Sequence, residues 1–193
     1  MAAPITLPNP VKECFKAGRP ALGMLTRLGR SGEIARLAKA TGHDFVFVDA
    51  QHALYNPETI GHIAQAALGC GIAPLARVRS CDDQQTAVLL DNGIMGIVFP
   101  DVNTAAEAKR AVDRAKYSPL GRRSVAGGFS VFDYRALSTG EAVKALDENT
   151  LVVCMIETPE ALANVDAIAA VPGVDVCAKK AEVLLSGLGP DHG

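Results

Sequence analysis

Short apolar runs and amphipathic stretches alternate along this chain. Residues 21–26, 44–48, 73–78, 95–99 and 151–156 are dense in apolar side chains, at strand length. A sixth such run begins at 174–177. The stretches between them repeat at helical spacing. Ser31 opens one helix, with Ile34, Leu37 and Ala38 on a face that stops at Gly42. Asn56-Pro57 pairs an N-cap with a first-turn proline, ahead of Ile60, Ile63, Ala64 and Ala67. A third helix is predicted from about Asp83 to Asn92-Gly93. Thr104-Ala105-Ala106-Glu107 spells a capping box for a fourth, reaching about Lys116. Further helices are predicted over 133–146 and from Thr158-Pro159 to about Pro172-Gly173.

Six strands with helices between them describe a parallel α/β fold. The spacing fits either a (β/α)8 barrel or an open doubly wound sheet. No G-x-G-x-x-G follows the first strand, which removes the usual mark of a dinucleotide site and favours the barrel. Residues 1–20 are read as an N-terminal arm and first segment, with three prolines in the first ten positions and no signal-peptide pattern. Residues 21–193 form the barrel domain. A glycine-rich segment, 118–130, interrupts the rhythm where a functional loop is expected.

Composition narrows the function classes. The 193 residues carry a net charge of −2 and are 49% hydrophobic, with no basic block, so neither nucleic acid nor a membrane is expected as a partner. Five scattered cysteines without a CxxC pair point to a reducing, cytoplasmic compartment.

The polar residues that end the strands are the candidates for chemistry, because parallel α/β enzymes react at the carboxyl ends of their strands. Asp49-Ala50-Gln51-His52 follows the second strand. Asp49 is spaced to orient the His52 imidazole as a general base, or His52 is a loop residue bonded to backbone. Arg77 ends the third strand, suited to stabilising a developing enolate oxygen or to a surface ion pair, with Arg79 its competitor. Glu157 ends the fifth strand and either caps the Thr158-Pro159 helix or ligates a hard divalent cation. Asp91, Asp101 and the basic turn Gly121-Arg122-Arg123-Ser124 are weaker candidates.

Together these landmarks resemble the HpcH/HpaI family of metal-dependent pyruvate aldolases, which includes 2-dehydro-3-deoxyglucarate aldolase, 4-hydroxy-2-oxoheptanedioate aldolase and macrophomate synthase. The likeness runs from about Leu22 to Asp175. It rests on Phe47-Val48-Asp49-Ala50-Gln51-His52, Ala76-Arg77-Val78, Leu90-Asp91-Asn92-Gly93 with Phe99-Pro100, Ser118-Pro119-Leu120-Gly121-Arg122-Arg123, Ile156-Glu157-Thr158 and Gly173-Val174-Asp175. The resemblance implies a TIM (β/α)8-type barrel. It also implies a divalent metal, Mg2+ or Mn2+ with Co2+ an alternative, chelated by the oxo and carboxylate oxygens of pyruvate. Glu157 is then a metal ligand, Asp49 and His52 the acid/base dyad, and Arg77 the enolate-stabilising arginine. The implied reaction is reversible cleavage of a 4-hydroxy-2-oxo acid to pyruvate and an aldehyde through a metal-stabilised enolate. A homo-oligomer is a further expectation.

Two departures stand out. Gln51 occupies a position where many relatives have Glu. From about residue 178 the chain leaves the family pattern, with Lys179 and Lys180 where an apolar strand is expected and no Gly-Pro-x-Asp turn to supply a second carboxylate. Glu182, beside the aligned Val183, is the substitute ligand expected there. About six of eight barrel strands are present, so the alternative expectation is a truncated, catalytically impaired member acting as a binding protein. A lyase acting on acyl-CoA thioesters is a third.

Overall fold

Parallel strands that follow one another in both sequence and space curl in one direction, whereas a doubly wound sheet reverses its strand order. In the computed structural model, which describes residues 7–127 and 129–179, the order is sequential throughout. The strands are β1 (Gly23–Thr26), β2 (Phe45–Asp49), β3 (Ala73–Arg77), β4 (Gly96–Phe99), β5 (Leu151–Ile156) and β6 (Val176–Lys179). Every neighbouring pair is parallel. This is the singly wound, six-stranded part of a barrel, and the open-sheet alternative is excluded.

Helices follow the strands: α1 (Pro10–Lys16) precedes β1, then α2 (Glu33–Ala40), α3 (Pro57–Cys70), α4 (Gln85–Asp91), α5 (Ala105–Ala115), α6 (Thr139–Asn149), α7 (Pro159–Ala163) and α8 (Val165–Ala169). They cover the convex side of the sheet. Their buried faces are alanine-rich, with Ala35, Ala38, Ala64, Ala67, Ala108, Ala111 and Ala115 against Val46, Val48, Ile97, Val152 and Cys154. Small side chains let helix backbones lie close to the sheet, and each fully buried Ile or Val contributes about 1.5–3 kcal/mol. The alternate strand residues, among them Leu75, Val98, Leu151 and Val153, form a second apolar cluster on the concave side.

The first segment is more ordered than an arm. Asn9 caps α1 by accepting the Val11 amide, and its Nδ2 donates to the carbonyls of Met95 and Asn149 at 3.2 and 2.7 Å. Val11 thereby joins the concave cluster at the amino ends of the strands. Lys116, buried on the same side, donates to the carbonyls of Asp147 and Thr150 at 2.6 and 2.5 Å. Burial pulls its ammonium down to about 8.

Two predicted helices differ from those found. Residues 130–132 form a 3-10 turn, and Asp133 and Tyr134 take left-handed backbone (φ 52° and 56°), which no helix continues through. The helix starts instead at Ser138, whose hydroxyl accepts the Glu141 amide in a second capping box. The predicted helix after Thr158 breaks at Asn164 into α7 and α8. The Thr104–Glu107 capping box and the Asn56 cap form as the sequence predicts.

Candidate active site

Strand alternation puts Asp49, Arg77 and Glu157 on the concave side, in phase with Phe47, Leu75 and Met155, at the carboxyl ends of β2, β3 and β5. Asp49 and Arg77 are register partners. Arg77 Nε donates to Asp49 Oδ1 at 3.0 Å and Nη2 to Oδ2 at 2.8 Å, a two-pronged ion pair in which the carboxylate is wholly buried. Oδ1 also accepts the backbone amides of Gln51 and His52, both at 3.1 Å, which folds residues 49–52 into a tight turn. Burial opposes ionisation of Asp49, but the Arg77 bonds and the two amides outweigh it and hold its carboxyl below the usual range.

This geometry corrects one expectation. The Asp49 carboxylate faces Arg77, and its bond to His52 reaches the backbone amide; it does not orient the imidazole. The cause is register, because a guanidinium directly opposite on β3 outcompetes a side chain three residues along a turn. The His52 side chain is exposed at the rim. Arg79, the competitor of Arg77, is exposed, with its amide bonded to Asp83.

Glu157 sits two strands from Arg77. Its Oε2 accepts the Asp101 amide at 3.0 Å. The N-cap of α7 is Thr158, whose hydroxyl accepts the Ala161 amide. Asp101 adopts left-handed backbone (φ 53°), and its Oδ2 accepts from Gln51 Nε2 at 3.4 Å. Gln51 Oε1 is buried without a hydrogen-bond partner among the described residues. Asn103 fastens this corner: it donates to the Asp101 carbonyl, accepts from the Thr158 hydroxyl and receives Asn164 Nδ2 on its own carbonyl.

Oxygen donors of this kind suit a hard divalent cation, with Glu157 and the orphaned Gln51 oxygen the residues present to hold one. Among the described residues no group of three or more His, Cys, Asp or Glu side chains is placed to complete such a site. Glu182 lies outside the described residues.

Sequence reasoning missed two contributors. Arg27, one residue beyond β1, extends its register opposite Asp49; its Nε lies 3.3 Å from Asp49 Oδ2 and its Nη2 donates to the His52 carbonyl at 2.6 Å. Period-two alternation from Gly23 and Leu25 would have found it. Asn103 carried no signal beyond its place before the Thr104 cap. Arg123 of the basic turn is an internal strut, paired with Asp91 at 2.6 Å and stacked 4.7 Å from the Tyr117 ring centroid, and Arg122 is exposed.

A sequential parallel sheet of this kind is shared with proteins of known type. The family model described as HpcH/HpaI aldolase/citrate lyase matches residues 24–189. The chain belongs to this family. Among solved structures, the HpcH/HpaI aldolase of Desulfitobacterium hafniense superposes with a TM-score of 0.86 at 31% identity, covering 93% of this chain and 69% of that one. Among curated HpcH/HpaI-type relatives, the 4-hydroxy-4-methyl-2-oxoglutarate aldolase of Hapsidospora irregularis is 38% identical over 162 residues, 83% of this chain and 60% of its own. The 4-hydroxy-2-oxo-heptane-1,7-dioate aldolase of Salmonella typhimurium is 33% identical over 167 residues, 86% of this chain and 63% of its own. This HpcH/HpaI chain thus spans about 60% of the length of the curated relatives it matches. Among the described residues, no helix is long and apolar enough to cross a membrane.

Proposed function

We propose that the chain is a carbon–carbon lyase of the class II pyruvate aldolase type, cleaving a 4-hydroxy-2-oxo acid to pyruvate and an aldehyde. The observation that carries this is the Arg77 guanidinium, held rigid by the buried Asp49 carboxylate at the rim it shares with Glu157. Its Nη1 is not engaged by Asp49; it lies 3.8 Å from the Met155 sulfur, leaving a strong donor for an oxyanion.

His52, exposed at the same rim, takes the proton from the substrate 4-hydroxyl. The C3–C4 bond then breaks, the aldehyde forms at C4, and the electron pair moves to C3 and the C2 oxygen. Arg77 stabilises the negative charge on that oxygen, and protonation at C3 completes pyruvate. Asp49 is a positioning residue, acting through Arg77 and through the turn that presents His52. A divalent cation, Mg2+, Mn2+ or Co2+, held by Glu157 with Gln51 and a further ligand such as Glu182, supplies Lewis-acid polarisation of the oxo group when bound. The relatives bear aldolase names, which favours catalysis over a purely binding role. Five free cysteines accord with a cytoplasmic setting, and assembly as a homo-oligomer is part of the same proposal.

A substrate panel tests this. Pyruvate release from 4-hydroxy-2-oxo acids, dependent on Mg2+ or Mn2+ and stopped by EDTA, is expected. Cleavage of malyl-CoA in preference to all of them would move the chain to the thioester lyases, and no divalent-dependent cleavage by folded protein would refute the proposal.

A further inference from the structure

Exposed at the rim, the His52 imidazole makes no hydrogen bond or ion pair among the described residues. Its place is therefore set by the backbone of the turn that carries it. Three bonds hold that turn. Asp49 Oδ1 accepts the amides of Gln51 and His52, both at 3.1 Å, which fixes the amide side of His52. The carbonyl side is fixed from another strand: Arg27 Nη2 donates to the His52 carbonyl at 2.6 Å. Arg27 Nε also lies 3.3 Å from Asp49 Oδ2, the oxygen that takes Arg77 Nη2 at 2.8 Å. One side chain thus spans the carboxylate and the carbonyl at the two ends of the 49–52 turn, a reach that a planar guanidinium fork has and a single ammonium lacks. The turn after β1 is braced in its own right. The Gly29 amide donates to the Thr26 hydroxyl at 3.2 Å, and the buried Tyr55 hydroxyl donates to the Gly29 carbonyl at 2.6 Å.

We infer that Arg27 is a positioning residue for His52, acting through the backbone of the 49–52 turn. The inference rests on the aldolase proposal, in which His52 takes the proton from the 4-hydroxyl. An imidazole displaced by about an ångström no longer meets that proton, and misplacement of this size costs a reaction on the order of a hundredfold. The ion pair itself adds little to stability, because the Arg27 side chain is 52% exposed and water screens it. Rate and stability therefore part at Arg27, whereas the wholly buried Asp49 carries both.

The test uses whichever 4-hydroxy-2-oxo acid the wild type cleaves fastest, and compares Arg27→Met, Arg27→Lys and Arg30→Gln with it. Arg27→Met keeps the apolar stem and loses both bonds; it should lower kcat by on the order of tenfold to a hundredfold with KM nearly unchanged. Arg27→Lys reaches the carbonyl or the carboxylate but does not span them, and should recover part of the rate. Arg30 is the control: it stacks 4.2 Å from the Tyr55 ring centroid and makes no hydrogen bond or ion pair with residues 49–52, so Arg30→Gln should match the wild type. Thermal melting should show all four proteins folded with similar midpoints. Unchanged kcat in Arg27→Met, a loss confined to KM, or an equal fall of kcat in Arg30→Gln overturns the inference. A wild type that cleaves no 4-hydroxy-2-oxo acid refutes the aldolase proposal instead, and hydrogen exchange of the Gln51 and His52 amides then decides. Faster exchange in Arg27→Met upholds Arg27 as the anchor of the turn, and equal exchange removes it.

Discussion

Asp49 and Arg77 stand opposite each other on neighbouring parallel strands and join through two N–H···O bonds of 3.0 and 2.8 Å. A guanidinium fixed at both Nε and Nη2 cannot swing, so its remaining donor is aimed before any substrate arrives. Such preorganisation is what stabilises a developing oxyanion without reorganisation at the moment of reaction.

Breaking this pair from either side should have unequal effects. Asp49→Ala leaves a buried guanidinium uncompensated and is expected to cost about 3–5 kcal/mol of stability as well as activity. Arg77→Lys keeps the charge but loses the fork, so it should lower kcat by on the order of a hundredfold or more with a smaller loss of stability. Chemical denaturation and steady-state kinetics on the two variants check the contrast; similar stability losses would argue against it.

Asn103 ties the loop after β4 to the loop after β5, and through it Asp101 and Glu157 hold their positions. Asn103→Ala should weaken Mn2+ binding, measured by calorimetry, while changing stability by about 1–2 kcal/mol. Asn103→Asp retains the oxygen that accepts from Thr158 and should recover part of the affinity. A drop in stability with unaltered Mn2+ affinity would make Asn103 structural only.

Much of this was legible in the strand ends. Period-two alternation carries Asp49, Arg77 and Glu157 to one side of the sheet, and the capping boxes at Thr104 and the cap at Asn56 follow from local hydrogen bonding alone. The role of Asp49 was not legible, because the choice between His52 and Arg77 depends on strand register, a relation between distant segments. The same holds for Arg27, and for Asn9, whose side chain satisfies carbonyls 86 and 140 residues away. The late start of α6 was readable: Ser138-x-x-Glu141 is as good a capping box as Thr104-x-x-Glu107.

Lys116 gives a pH signature at the other end of the strands. Its folded value of about 8 lies below the ordinary lysine value of 10.5. Between these values the unfolded chain binds the extra proton, so this group's contribution to stability rises with pH from about 8 to 10.5. Tyr117 and Cys154, both pushed up to about 12 by burial, act in the opposite sense above their ordinary values. The difference between wild type and Lys116→Met isolates the lysine. Relative to the variant, the wild type should gain on the order of 3 kcal/mol across that window, one pKa unit being about 1.4 kcal/mol. Parallel stability curves would show that Lys116 stays charged inside the fold.

The central claim, that Arg77 and its neighbours stabilise the enolate of pyruvate, can be tested without knowing the aldehyde. Pyruvate is incubated with the folded chain and Mg2+ in D2O, and loss of the C3 methyl proton signal is followed by NMR. The account predicts exchange that EDTA stops and that Arg77→Ala reduces by on the order of a hundredfold or more, the cost of losing an oxyanion donor. Exchange no faster than in protein-free buffer, or exchange equal in wild type and Arg77→Ala, would contradict it.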